Sequence, residues 1–178
     1  MNTKHFSISQ RTRYILLAII GTLALAITVM IFAFSSESKA ESGERSHGVT
    51  EIVAEILIPG FGDMTPDEQT DIINMLHRPV RKIAHFSEFC LLGMLAAALM
   101  YLIGKGKYFV WWVVPTVTCL FLATADEVYQ IFTGRGSSVT DVIIDFSGSV
   151  VGICLVHLLF YIIARRKAKK SCAKENTP

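Results

Sequence analysis

Arg81, His85 and Glu88 stand at i, i+4 and i+7, a spacing that sets a guanidinium, an imidazole and a carboxyl on one side of a helix. Lys82 follows Arg81. Asp126 and Gln130 are four apart, as are Asp141 and Asp145, and Glu127 comes three before Gln130. Histidine titrates near neutral pH and can trade a proton with a neighbouring carboxyl. His85, Glu88, Asp126 and Glu127 are therefore the candidate catalytic residues. Arg81, Lys82 and Arg135 can hold a phosphate or carboxylate. Glycines flank Arg135 and allow close backbone approach, with Ser137 and Ser138 just beyond. Arg81, Lys82, Gln130, Arg135, Ser137, Ser138, Asp141 and Asp145 thus form the candidate substrate-binding set. A carboxylate-rich cluster also suits a hard cation. One histidine with scattered carboxylates is a weak metal signature, however, and no metal is expected.

The elements that must position these groups are long apolar runs. Residues 14–34, 83–103, 108–125 and 142–164 each approach or exceed the ~20 residues that ~30 Å of hydrocarbon requires. The expected fold is all-α: an integral membrane bundle of four transmembrane helices with short external amphipathic helices. Composition agrees, with 52% hydrophobic residues and a mean hydropathy of +0.47. The lipid bilayer is the expected surrounding, and nothing suggests a nucleic-acid partner. Trp111 and Trp112 read as interfacial anchors near one end of the third span, and Pro115 is expected to kink it. Cys90, Cys119, Cys154 and Cys172 match no metal-ligand spacing and no disulfide framework.

Charge gives the orientation. Eleven of the 17 basic residues lie before the first span, between the second and third, or after the fourth. The loop 35–82 carries nine acids against five bases. By the positive-inside rule both termini, 1–13 and the basic tail 165–178, are cytoplasmic, and both longer loops are external. The expected location is the cell membrane, multi-pass, with the four-helix domain over 14–164. The first apolar run exceeds the 7–15 residues of a signal-peptide core, so an uncleaved signal anchor is expected. Within 35–82, residues 35–48 read as irregular chain and 49–58 as a short helix. A second short helix starts at Pro66 with Thr65 as N-cap.

Depth and face then converge. At ~1.5 Å per residue, Glu88 stands ~22 Å and His85 ~27 Å above Ile103, and Asp145 ~28 Å above Ala164. Asp126 and Glu127 directly follow the third span. All belong to one layer at the expected outer interface. Structural ion pairing that fixes helix register is the plain alternative. Eight ionisable groups exceed what register needs, and each is costly beside hydrocarbon. Gly148 and Gly152 form a small-xxx-small pattern suited to close helix packing.

The runs RKIAHFSEFCLLG at 81–93 and ADEVYQIFTGRGSSVTDVIIDFSGSVVG at 125–152, with FSSES after the first span, resemble the VanZ-like family. The shared pattern passes through Arg81, Lys82, His85, Phe86, Glu88 and Phe89. It continues through Asp126, Glu127, Gln130, Gly134, Arg135, Asp141, Asp145 and Gly148. Phe89 stands where the family often has Tyr. The resemblance implies a small bacterial cell-envelope membrane protein, and its founding member is associated with low-level resistance to the glycopeptide teicoplanin. Some relatives carry the label of butyryl-type acyl-phosphate transferases. That chemistry draws on a cytosolic coenzyme A ester, whereas the polar layer is expected to face outward, and no cofactor is expected.

Two readings remain open. In one, the outer site binds or modifies a lipid-linked or cell-wall precursor. In the other, the chain is a non-catalytic membrane module that binds a partner protein or lipid, or passes a small solute. No visible inverted repeat favours transport. No nucleophile elbow, P-loop or zinc motif assigns a known reaction.

Overall fold

The computed structural model describes residues 9–37, 39–104, 108–134 and 138–175. All regular structure among them is helical: α1 (Gln10–Ser35), α2 (Lys39–Leu57), a short 3-10 turn (Phe61–Asp63), α3 (Pro66–Ile103), α4 (Tyr108–Phe132) and α5 (Val139–Glu175). α1, α3, α4 and α5 are each long and apolar enough to cross a membrane.

Several of the expected boundaries move. Residues 35–48, read as irregular, mostly belong to α2, which begins at Lys39. Thr50 and Ala54 lie one turn apart on its buried side, and Ala54 packs with Phe61 and Ile73. This tertiary contact overrides the weak helix propensity of the Ser- and Gly-rich stretch. The second difference is that the short helix at Pro66 and the span from 83 are one helix of 38 residues. Its start is as expected: Thr65 and Glu68 form a reciprocal capping box. Pro79 lies inside it without ending it. At ~57 Å, α3 is nearly twice as long as hydrocarbon is thick, so its first half stands clear and carries α2 on its flank. α4 likewise continues through Asp126 and Glu127, and α5 continues through the basic residues that follow 164.

The bundle is organised around α3 and α5, which touch backbone to backbone. A Cβ on Gly148 would overlap the Phe86 carbonyl, one on Gly152 the Cys90 carbonyl, and one on Gly93 the Ser149 carbonyl. Gly148 and Gly152 are the pair singled out by their spacing, and α3 answers with Gly93. α1 is mostly exposed along its length and is held at both ends. The Arg13 guanidinium donates to the Leu102 and Ile103 carbonyls at the end of α3, and Ser35 meets α4 at the other end.

An apolar core of Ile31, Phe89, Leu92, Cys119 and Ala123 lies between these ends. Ala97, Ile153 and Val156 form a second cluster toward the Arg13 end. There the tryptophans turn inward rather than out to the interface. Trp111 is 8% exposed. Trp112 stacks on His157 at 3.9 Å between ring centroids, and the Tyr101 hydroxyl stands 2.7 Å from His157 Nδ1. Of the cysteines, Cys119 is buried and Cys154 exposed on the apolar surface.

Gly148→Val is expected to force α3 and α5 apart and lower stability by about 1–3 kcal/mol, the usual range for overpacking. The melting midpoint of the detergent-solubilised protein checks this. Gly21→Val, on α1 with open space around it, is expected to leave the midpoint nearly unchanged.

Candidate functional site

The polar layer lies at the end of the bundle opposite the Arg13 clamp. α3 brings Arg81, Lys82, His85 and Glu88 to it. The last turns of α4 bring Asp126, Glu127 and Gln130, and the first turns of α5 bring Asp141 and Asp145. Three helices thus deliver what three separated sequence motifs carry. Arg135 and Ser137 lie outside the described residues.

Burial is graded across the layer. Asp126 is 0% exposed, Gln130 and Asp145 2%, and Glu127 4%. His85 and Glu88 are part-buried, whereas Lys82 and Asp141 retain 46% and 39% of their side-chain exposure. The inner side is therefore carboxylate and amide, and the outer side an ion pair in contact with solvent.

Specific contacts hold the inner groups. Gln130 Nε2 donates to Asp126 Oδ2 at 2.9 Å and to Ser35 Oγ at 3.3 Å. Thr133 Oγ1 donates to the Ser35 carbonyl at 3.2 Å. The Ser138 amide donates to Glu127 Oε2 at 3.0 Å, and its hydroxyl accepts from the Thr140 amide at 3.2 Å. Ser138 thus secures the turn into α5, and it is not part of the cavity wall. His85 Nδ1 lies 3.7 Å from Glu88 Oε2, and Lys82 Nζ lies 3.2 Å from Asp141 Oδ1.

A cavity of ≈ 530 Å³ opens among these groups. Arg81, Lys82, His85, Glu127, Gln130, Asp141 and Asp145 line it, and all seven were singled out from sequence. His77 and Arg78 line it too. The separate short helix expected from Pro66 ends before the span at 83; the continuity of α3 through Pro79 is what places both residues here. Ser35 was also missed as a site residue. Its one signal is a hydroxyl at the end of an apolar run. Across the layer, ligand atoms of His85, Asp126 and Asp145 lie within 4.8 Å of one another, close enough to share one bound cation.

The arrangement offers two kinds of chemistry. Arg81 and Lys82 present positive charge to an anion entering the cavity. His85 with Glu88 offers a proton donor and acceptor within one water's reach of each other.

The VanZ/LLP1 family profile matches residues 20–161, a stretch that takes in the whole polar layer. No curated protein and no solved structure shows a match to the chain.

Gln130→Leu takes a donor from the buried Asp126 carboxylate and is expected to cost about 1–3 kcal/mol. Ser35→Ala is expected to cost less, about 0.5–1.5 kcal/mol. Because the two side chains act in one chain of hydrogen bonds, Ser35→Ala should add little once Gln130 is Leu. Melting midpoints of the four proteins in detergent decide it, and simple additivity would show that the two act separately.

Proposed function

The chain belongs to the VanZ/LLP1 family, and on that premise we propose that its polar layer is a site for an anionic envelope component. A lipid-linked or cell-wall precursor is the ligand class. Through that site the protein contributes low-level resistance to glycopeptides such as teicoplanin.

The observation that supports this reading best is the burial of Asp126 and Asp145 beside a cavity whose opposite wall is basic. Carboxylates kept out of water at the end of an apolar bundle are expensive to hold and mark functional layers in membrane proteins. In this reading Arg81 and Lys82 take the phosphate or carboxylate of the ligand. Lys82 is available for that exchange, because its pair with Asp141 is half-exposed and such pairs are worth only about 0–1 kcal/mol. His85 and Glu88 are the acid/base candidates for any modification of the bound molecule. Charge supports an outward orientation: the basic tail and the Arg13 end face the cytoplasm, and the cavity faces out.

Two measurements test the reading. Cells expressing the chain are expected to tolerate more teicoplanin than control cells, and His85→Ala and Asp126→Ala, matched for membrane level by immunoblot, are expected to lose that protection. Equal protection by all three proteins would leave the charges as structural pairs. For orientation, Glu44→Cys and Lys169→Cys are made in a background whose native cysteines are serine. A membrane-impermeant maleimide applied to intact spheroplasts should label the first only, and the reverse pattern would turn the topology over.

A further inference from the structure

We propose that His85, Asp126 and Asp145 bind one divalent transition-metal cation of the zinc or manganese kind. The inference rests on the reading that this layer is functional rather than a set of register-fixing pairs; with the cation bound His85 is a ligand, which leaves Glu88 as the acid/base candidate. It goes against the expectation from sequence, in which ligands at 85, 126 and 145 form no local motif.

The geometry is the first support. The three ligand atoms come from α3, α4 and α5 and lie within 4.8 Å of one another. Donors on one tetrahedral zinc at ~2.1 Å stand ~3.4 Å apart, so small side-chain rotations close the set. A second, independent support is Asp145 itself. It is 2% exposed and lines the cavity. Among the described residues its hydrogen bond is taken by the backbone carbonyl, from Ser149 Oγ at 3.2 Å, and none donates to its carboxylate. A buried carboxylate without a donor is costly to hold ionised, and a bound cation or a proton relieves that cost.

One candidate ligand is also braced from behind, as metal ligands usually are: Gln130 Nε2 donates to Asp126 Oδ2 at 2.9 Å. A mixed nitrogen and oxygen donor set selects zinc or manganese over calcium and magnesium, which favour oxygen alone. Three protein ligands leave a coordination position open for water or an anionic oxygen from the cavity, the pattern of zinc sites that do chemistry.

The test uses the full chain in detergent, stripped with EDTA and then titrated with Zn²⁺ or Mn²⁺, with bound metal read by mass spectrometry and melting by circular dichroism. Wild type is expected to take up one equivalent and to melt higher when loaded. His85→Gln, Asp126→Asn and Asp145→Asn should each weaken uptake by roughly 100-fold or more, and Gln130→Leu by roughly 10- to 100-fold as a bracing residue. Asp71→Asn, exposed on α3, should bind as wild type does. Helical content of each variant is matched first, so that a lost fold is not read as a lost ligand. Absence of saturable uptake by wild type would overturn the proposal; the carboxylates would then be held by a shared proton or by imidazolium. Unchanged uptake in the three variants, or a preference for Ca²⁺, would overturn it equally. The phenotype is read separately. Metal uptake without teicoplanin protection leaves this site standing and removes the resistance role, and protection without uptake does the opposite.

Discussion

The close backbone approach of α3 and α5 sets everything else in the bundle. At Gly148 the two chains meet beside Phe86, the residue after His85. That contact puts His85 and Asp145 at one level, three residues from the crossing on one side and one on the other. Any side chain there would separate the helices and pull the imidazole from the carboxylate. The glycines are therefore as much part of the polar layer as the charges, although they carry none. The polar layer sits directly above the close α3–α5 backbone contacts.

Polarity in the molecule is layered rather than scattered. An aromatic and histidine cluster around Tyr101, Trp112 and His157 lies toward the Arg13 end. An apolar core around Phe89 and Cys119 follows, and then the carboxylate layer. α1 lies against this stack and presents most of its length outward, so its attachment depends on its ends. Arg13 satisfies carbonyls that the last turn of α3 leaves open. At the far end Ser35 joins the hydrogen bonds of Gln130 and Thr133. The span with the least packing thus touches the site directly, through a single serine.

Much of this is legible in the sequence because membranes make polarity conspicuous. A carboxylate such as Asp126 or Asp145 stands out at the end of an apolar run, and helical rise alone brings it level with His85. Proline and glycine are less legible. Pro79 lies within α3 without breaking it, and the Ser/Gly-rich stretch 35–48, read as irregular chain, is helix from Lys39, where Ala54 packs on Phe61 and Ile73. The inward turn of Trp111 and Trp112 was hidden because their partners, Tyr101 and His157, lie on other helices. The grouping of His85, Asp126 and Asp145 was hidden for the same reason: no spacing along the chain records a distance across it.

The two walls of the cavity differ in sign. His77, Arg78, Arg81, Lys82 and His85 all project from α3, whereas Glu127, Asp141 and Asp145 come from α4 and α5. Charges on one unbroken helix move together, so the basic wall keeps its spacing even when the cavity widens. Across the cavity this separation sets a field that runs from α3 toward α4 and α5, weakest at the half-exposed Lys82–Asp141 pair. A zwitterion entering it has one favoured way round, anionic end toward α3 and cationic end toward α4 and α5.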